Sequence, residues 1–172
     1  LDHVSKIVAR AIGEIARAAG VSLEGEIGFV GYAEGEASAG TDPIEAEVFA
    51  RDSGVDAMAI SVGNVHLKQE KETLIDVARL AMIEAVTDLP LVIHGGSGLP
   101  VAMRMELARN HKVCKFNIGT ELRMAFGQAL RHAVNADAAR FDRVAILKDT
   151  VEPTTQAARD VIRAFGAPAQ RG

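Results

Sequence analysis

The stretch Leu89-Pro-Leu-Val-Ile-His-Gly-Gly-Ser-Gly98 joins a short apolar run to an imidazole and a glycine-rich turn. Leu91-Val-Ile93 reads as a buried strand, because it is short, apolar and bounded by Pro90 and the glycines. His94 stands at the strand's end and is followed by Gly95, Gly96, Ser97 and Gly98. Glycines let a ligand approach the backbone closely, and the N–H groups of such a turn can cradle an anion. A histidine hydrogen-bonded beneath a tight turn would show the same pattern. His94 alone decides nothing, so the flanking sequence must.

Upstream, Val4 to Ala19 has the period of a helix, with Ile7, Ala11, Ile12, Ile15 and Ala19 on one face and Gly20 as C-cap. Val21 to Gly28 alternates as a strand, placing Ser22, Glu24 and Glu26 on one side. A glycine- and acid-rich loop from Phe29 to Gly40 carries Glu34 and Glu36. Asp42-Pro-Ile-Glu45 starts a helix, with Asp42 as cap, Pro43 in the first turn and Glu45 completing a capping box, and the helix stops near Gly54. Val55 to Val62 is the next strand and leads to Gly63-Asn-Val-His66. After a polar loop, Leu74 to Ala85 is a helix with Leu74, Val77, Ala78 and Ala81 facing inward.

Downstream, Pro100 starts a helix that runs to about Asn110, and Val113 to Ile118 is the fourth strand. Thr120 is a natural N-cap for a helix over Glu121–Val134, whose N-terminus is a ready anion site. Phe141 to Leu147 reads as an irregular connector and Pro153 to Phe165 as a last helix, with a frayed tail over about 167–172. Strands recur roughly every 25–35 residues, the size of a βα unit. Such alternation means a parallel sheet wrapped by helices. A doubly wound sheet would satisfy it. However, Glu26, His66, His94 and Asn117 all fall at the C-terminal ends of their strands, where (β/α)8 TIM barrels build their sites. The expectation is an α/β fold, one domain over 1–172, holding about half of a barrel that needs about 250 residues.

Composition narrows the function. Net charge is −4 with no block of one sign, against a nucleic-acid footprint. No apolar run nears the ~20 residues that span a bilayer, and no basic region precedes an apolar core as in a signal peptide. Cys114, the only cysteine, fits a reducing cytoplasm and reads as a small buried hydrophobe. His111 and His132 lie among charged residues and read as surface groups. Lys115 could point inward, to pair with Glu24 or to form a Schiff base.

Ser22-Leu-Glu-Gly-Glu-Ile-Gly28, Thr41-Asp-Pro43, Gly54-Val-Asp56, Gly63-Asn-Val-His66, Pro90 to Gly98 and Cys114-Lys-Phe-Asn-Ile-Gly-Thr-Glu-Leu-Arg123 occur in this order. Each motif is weak alone. Together they resemble the C-terminal half of the class II, zinc-dependent ketose-bisphosphate aldolases, of fructose- or tagatose-bisphosphate type. The resemblance implies Zn2+ held by His66 and His94 with Glu26 supporting the metal region, and a monovalent cation near the phosphate. It implies dihydroxyacetone phosphate on Gly95, Gly96 and Ser97, with Asn117, Ile118, Gly119 and Thr120 as the second phosphate-side segment. It places Glu34 near a proton-shuttling loop carboxylate. The implied reaction makes or breaks a carbon–carbon bond through a zinc-stabilised enediolate, in a cytoplasmic homo-oligomer acting on a phosphorylated sugar, without nucleic acid or membrane.

The chain also departs from that family. The Asp-His pair that supplies the base and a third zinc ligand belongs to an earlier segment. Leu1-Asp2-His3 imitates it but leads straight into a helix. Leu67 stands where glycine is common. Gly119 stands where fructose-bisphosphate enzymes often carry aspartate, tilting the reading toward tagatose-type relatives. Another phosphosugar isomerase or epimerase, or a non-catalytic barrel subunit that keeps the phosphate seat, are the competing readings.

Overall fold

A computed structural model describes residues 3–28, 40–63 and 75–166, with side chains from residue 7 onward. Helix α1 (His3–Ala18) precedes strand β1 (Glu24–Ile27). The chain continues through α2 (Pro43–Ser53), β2 (Ala57–Ile60), α3 (Val77–Val86) and β3 (Leu91–Ile93). It ends with α4 (Val101–Asn110), β4 (Val113–Phe116), α5 (Thr120–Ala136) and α6 (Arg143–Ala164). The strands form one parallel sheet in the order β1-β2-β3-β4. A doubly wound sheet reverses its strand order, whereas a barrel never does. With right-handed crossovers, the unreversed order places the helices on one face.

The two faces differ in chemistry. Ile27, Met58, Ile60, Leu91 and Ile93 pack with helix residues such as Phe49, Leu80 and Ile83 into one apolar cluster. Gly25 belongs to this side, where a Cβ would come within 2.8 Å of both Phe49 and Val55. On the concave side, cross-strand pairing lines up Glu26, Ala59, Val92 and Lys115 in a single row. Lys115 Nζ of β4 reaches back across the sheet to Glu24 Oε2 of β1, at 2.6 Å. The sheet is therefore curled as a barrel sector must be.

Helix α2 follows its sequence closely. Asp42 Oδ1 accepts from Ile44 N at 2.9 Å and Glu45 N at 3.2 Å, and Gly54 closes the helix in a left-handed conformation. Thr41, just before the cap, is buried and fastens two strand ends. Its hydroxyl donates to the Ile27 carbonyl at 2.9 Å and accepts from Ser61 N at 2.8 Å, while its own N–H donates to the Ser61 carbonyl.

Several expectations are corrected. The apolar face expected of α1 is exposed: Ile7, Ala11, Ile12 and Ala19 lie open and Ile15 is 72% accessible. The helix instead lies against α2, with Ala9 and Gly13 turned toward the core. Periodicity shows which side of a helix is apolar, not what covers it. In α3, Val77, Ala78 and Ala81 face solvent, and Leu80 and Ile83 fill the core; that helix is apolar nearly all round, so its period is weak. Leu74 lies outside the described residues.

Phe141–Leu147 is no connector beyond Asp142, because α6 begins at Arg143 with Asp142 capping Val144 N at 2.9 Å. Pro153 lies inside the helix. Its missing N–H spares only the Asp149 carbonyl, and the Thr154 hydroxyl donates to the next one, Thr150 O, at 2.8 Å. Arg140 hydrogen-bonds Asp149 at 2.5 Å and thereby holds that carboxyl below its ordinary range. Cys114 is an exposed free thiol, not a core residue. A register shift in β4 explains the mistake. Val113 pairs with Leu91 in the core, yet Lys115 pairs with Val92 on the concave side, so the strand does not alternate simply between them.

Thr41→Val keeps the shape but strips the bonds to Ile27 O and Ser61 N. Urea unfolding should show a loss of about 2–3 kcal/mol with an unchanged m-value, and Thr41→Ser should restore most of it.

Candidate active site

The rim at the C-terminal ends of the strands gathers the chemistry-bearing residues. Glu24 and Glu26 project from β1 on the concave side. His94 follows β3 and lies between them. Its Nδ1 is 3.4 Å from Glu26 Oε1 and its Nε2 is 3.7 Å from Glu24 Oε1. Glu24 thus stands between His94 and Lys115, which grips its other oxygen. The imidazole is half-buried, a setting in which a nearby carboxylate fixes ring orientation.

The turn after His94 is built from its glycines. Gly95 (φ 68°) and Gly98 (φ 82°) both adopt left-handed backbone, which other residues rarely do. Between them Ser97 is buried and aims its hydroxyl at the start of α5. Ser97 Oγ accepts from Gly119 N at 3.3 Å, Thr120 N at 3.1 Å and Glu121 N at 3.5 Å. The expected N-cap, Thr120, is instead the first helical residue. Gly119 is the cap position, and it has no side chain to bond with. The capping group comes from another loop. Asn117 ties the same loops together by backbone: its N–H donates to Ile93 O at 2.9 Å, and its carbonyl accepts from Gly96 N at 3.2 Å.

Glu121 answers Ser97 in the opposite direction. Its Oε1 accepts from Gly98 N at 2.8 Å. Arg104 of α4, only 5% exposed, closes on the same carboxylate with both Nη atoms; the Nη1–Oε2 bond is 3.3 Å. The Arg104 guanidinium lies 5.7 Å from the centre of the Phe165 ring, and that ring packs on Phe116 of β4 at 4.4 Å between centroids. Sequence reading missed Arg104 entirely. Its signal was phase: it shares a helix face with Leu107, three residues on, and both are buried.

Of the residues singled out in the sequence, the rim brings together Glu26, His94, Gly95, Gly96, Ser97, Asn117, Ile118, Gly119 and Thr120. His66, Glu34, Asp2 and Leu67 lie outside the described residues, and of His3 only the backbone, at the start of α1, is described. Among the described residues no group of three His, Cys, Asp or Glu side chains is arranged to hold a metal ion. His94 and Glu26 do supply a nitrogen and an oxygen donor side by side, a chemically apt pair for zinc. The remaining histidines stand elsewhere. His111 bonds Glu84 at 2.9 Å, and His132 lies on an open groove of about 440 Å³ between α5 and α6.

The family profile of class II fructose-bisphosphate aldolases matches residues 7–170. The chain belongs to that family. It is 34% identical over 148 residues to a fructose-bisphosphate aldolase of Geobacillus stearothermophilus, covering 82% of this chain and 51% of that one. Its fold superposes on the YdjI aldolase of Escherichia coli K12 with a TM-score of 0.75 at 23% identity, covering all of this chain and 60% of that one. A fructose-bisphosphate aldolase of Campylobacter jejuni gives a TM-score of 0.72 at 21% identity, covering 94% and 56%. The chain therefore spans between half and two-thirds of the length of these relatives, and its α/β fold is one sector of their TIM barrel. Among the described residues no helix is long and apolar enough to cross a membrane.

Ser97→Ala removes the hydroxyl that accepts from the Gly119, Thr120 and Glu121 N–H groups at the start of α5. Thermal or urea unfolding should register a loss of about 1 kcal/mol, the usual worth of a helix cap, and Ser97→Asp should recover part of it.

Proposed function

We propose that this chain forms the C-terminal half of a metal-dependent aldolase that cleaves or builds a ketose bisphosphate through dihydroxyacetone phosphate. One observation carries the reading: His94 and Glu26 meet at 3.4 Å on the strand-end rim, directly before the turn whose Ser97 faces the α5 N-terminus. A nitrogen–oxygen donor pair and an anion seat side by side are what a phosphorylated, metal-chelating ketose requires.

Each residue then has a task. Gly95, Gly96 and Ser97, with Asn117, Ile118, Gly119 and Thr120, border the phosphate seat, where the anion would take over the Gly119 and Thr120 N–H groups that Ser97 Oγ holds without it. This mode needs no basic cluster and suits an acidic chain. A monovalent cation beside that phosphate would complete its neutralisation. His94 and His66 would hold zinc, with Glu26 orienting His94 or joining it at the metal. Zinc, when bound, would supply Lewis-acid polarisation of the substrate ketone. Glu34 carries the proton at the loop side. Lys115 stays in its ion pair with Glu24, and an ammonium so held has no lone pair for Schiff-base formation.

Gly119 in place of an acidic side chain favours a tagatose-type over a fructose-type substrate. Apolar side chains left open on α1 and α6, such as Ile15 and Val144, support assembly with further copies of the chain. A free cysteine and a sugar phosphate substrate both fit the cytoplasm and carbohydrate metabolism.

Metal analysis and a retro-aldol assay on fructose- and tagatose-bisphosphate test the proposal. Bound zinc should fall at least about tenfold in both His66→Ala and His94→Ala, with chelator-sensitive cleavage lost in parallel. Unchanged zinc and cleavage in both variants would sink the proposal. Phosphate binding without zinc would support the non-catalytic subunit, and borohydride trapping at Lys115 would install Schiff-base chemistry instead.

A further inference from the structure

We propose that Arg104 and Glu121 are a positioning pair that locks the His94–Gly98 turn to the start of α5 and keeps a carboxylate from opposing the anion seated there. The anion itself rests on the function proposed above; the lock does not.

A capping box satisfies one helix end by reciprocal bonds: a serine accepts from the first turn, and a glutamate in that turn reaches back to the serine's own segment. Here the box is assembled from two distant segments. Ser97 Oγ accepts from the N–H groups of Gly119, Thr120 and Glu121, and Glu121 Oε1 accepts from Gly98 N at 2.8 Å. The loop after β3 and the loop after β4 therefore hold each other from both sides.

Such a box has an electrostatic defect. The N-terminus of α5 carries partial positive charge that favours an anion, but Glu121 is itself a full negative charge in that first turn. Left alone, it would compete with a bound phosphate. Arg104 removes the competition. Its fork takes both carboxylate oxygens, and its burial at 5% exposure leaves little water to screen the pair. Phe165 packs against the guanidinium, and Phe116 packs behind Phe165, so the arginine is fixed from the helix layer. An arginine is required, because a lysine offers a point charge and no fork.

The test compares wild type with Arg104→Met, Glu121→Gln and the double variant, using amide hydrogen exchange and titration with inorganic phosphate. In Arg104→Met, exchange at Gly98 should accelerate about tenfold beyond any change at the β2 amides, and phosphate affinity should fall about tenfold. Glu121→Gln keeps an acceptor for Gly98 and should accelerate its exchange less. The double variant has no unpaired carboxylate and should regain affinity relative to Arg104→Met. Arg104→Lys preserves the charge, guards against failure to fold, and should show the same local acceleration.

Equal acceleration at Gly98 and in β2 would overturn the lock and leave Arg104 a general stabiliser. A double variant binding no better than Arg104→Met would overturn the masking of charge. Should wild type take no phosphate, the seat proposed earlier is wrong, and Gly98 exchange still decides the lock.

Discussion

Parallel pairing in chain order is the constraint on which everything else depends. It sends the C-terminal end of every strand to one rim, so Glu26, His94 and Asn117 meet there although they are far apart in sequence. It also sets the row Glu26, Ala59, Val92, Lys115 across the concave face. The two central members are compact and fully buried. Lys115 reaches past them to Glu24, two residues before Glu26 in β1. The pair is largely exposed and contributes little stability. Its consequence is geometric: Glu24 is drawn between Lys115 and His94, and the carboxylates around the imidazole acquire fixed places.

The rim is then completed by exchange of caps between loops. A helix that starts at Gly119 has no side chain with which to finish itself. Ser97 supplies the missing acceptor, and left-handed Gly95 and Gly98 let it reach. The cost of ordering this turn is offset by buried hydrogen bonds that would otherwise be lost to water. Thr41 does comparable work on the other side, where it joins the ends of β1 and β2. The site is thus held by polar side chains at the rim and by apolar packing only from below.

This division explains what could be read from the sequence. Local signals survive intact: the Asp42 cap, the Gly54 stop and the alternation of βα units all depend on residues adjacent in the chain. So does the placing of His94 and Glu26 at strand ends, which puts them on one rim once the sheet is parallel. What failed depends on partners distant in sequence. The α1 stripe is legible as apolar, but its exposure is not, since that depends on what packs against it. Cys114 lies in the apolar run Val113–Ile118 and so reads as buried, yet it falls at the bulge of β4, where it is exposed. Pro153 looked like a helix start, yet it sits within a helix whose other bonds and packing against α5 tolerate it. Thr120 has a capping side chain at nearly the right place, but nothing local reveals that Ser97 has taken the role. Arg104 was invisible because a charged residue in a mixed helix normally faces water.

In a chain of net charge −4, the phosphate seat proposed above would need its nearby carboxylates neutralised locally. The rim does this in two ion pairs, Glu121 with Arg104 and Glu24 with Lys115. The pairs are not equivalent. Lys115 and Glu24 stand in water, so salt screens them within a Debye length of about 8 Å at physiological ionic strength. Arg104 is buried, its bonds to Glu121 are charge-assisted, and salt weakens them much less. Raising ionic strength therefore loosens the Lys115–Glu24 pair before the Arg104–Glu121 pair. On the positioning role proposed for Arg104, anion affinity at the start of α5 would follow from how completely that buried arginine is matched, and not from the overall charge of the molecule.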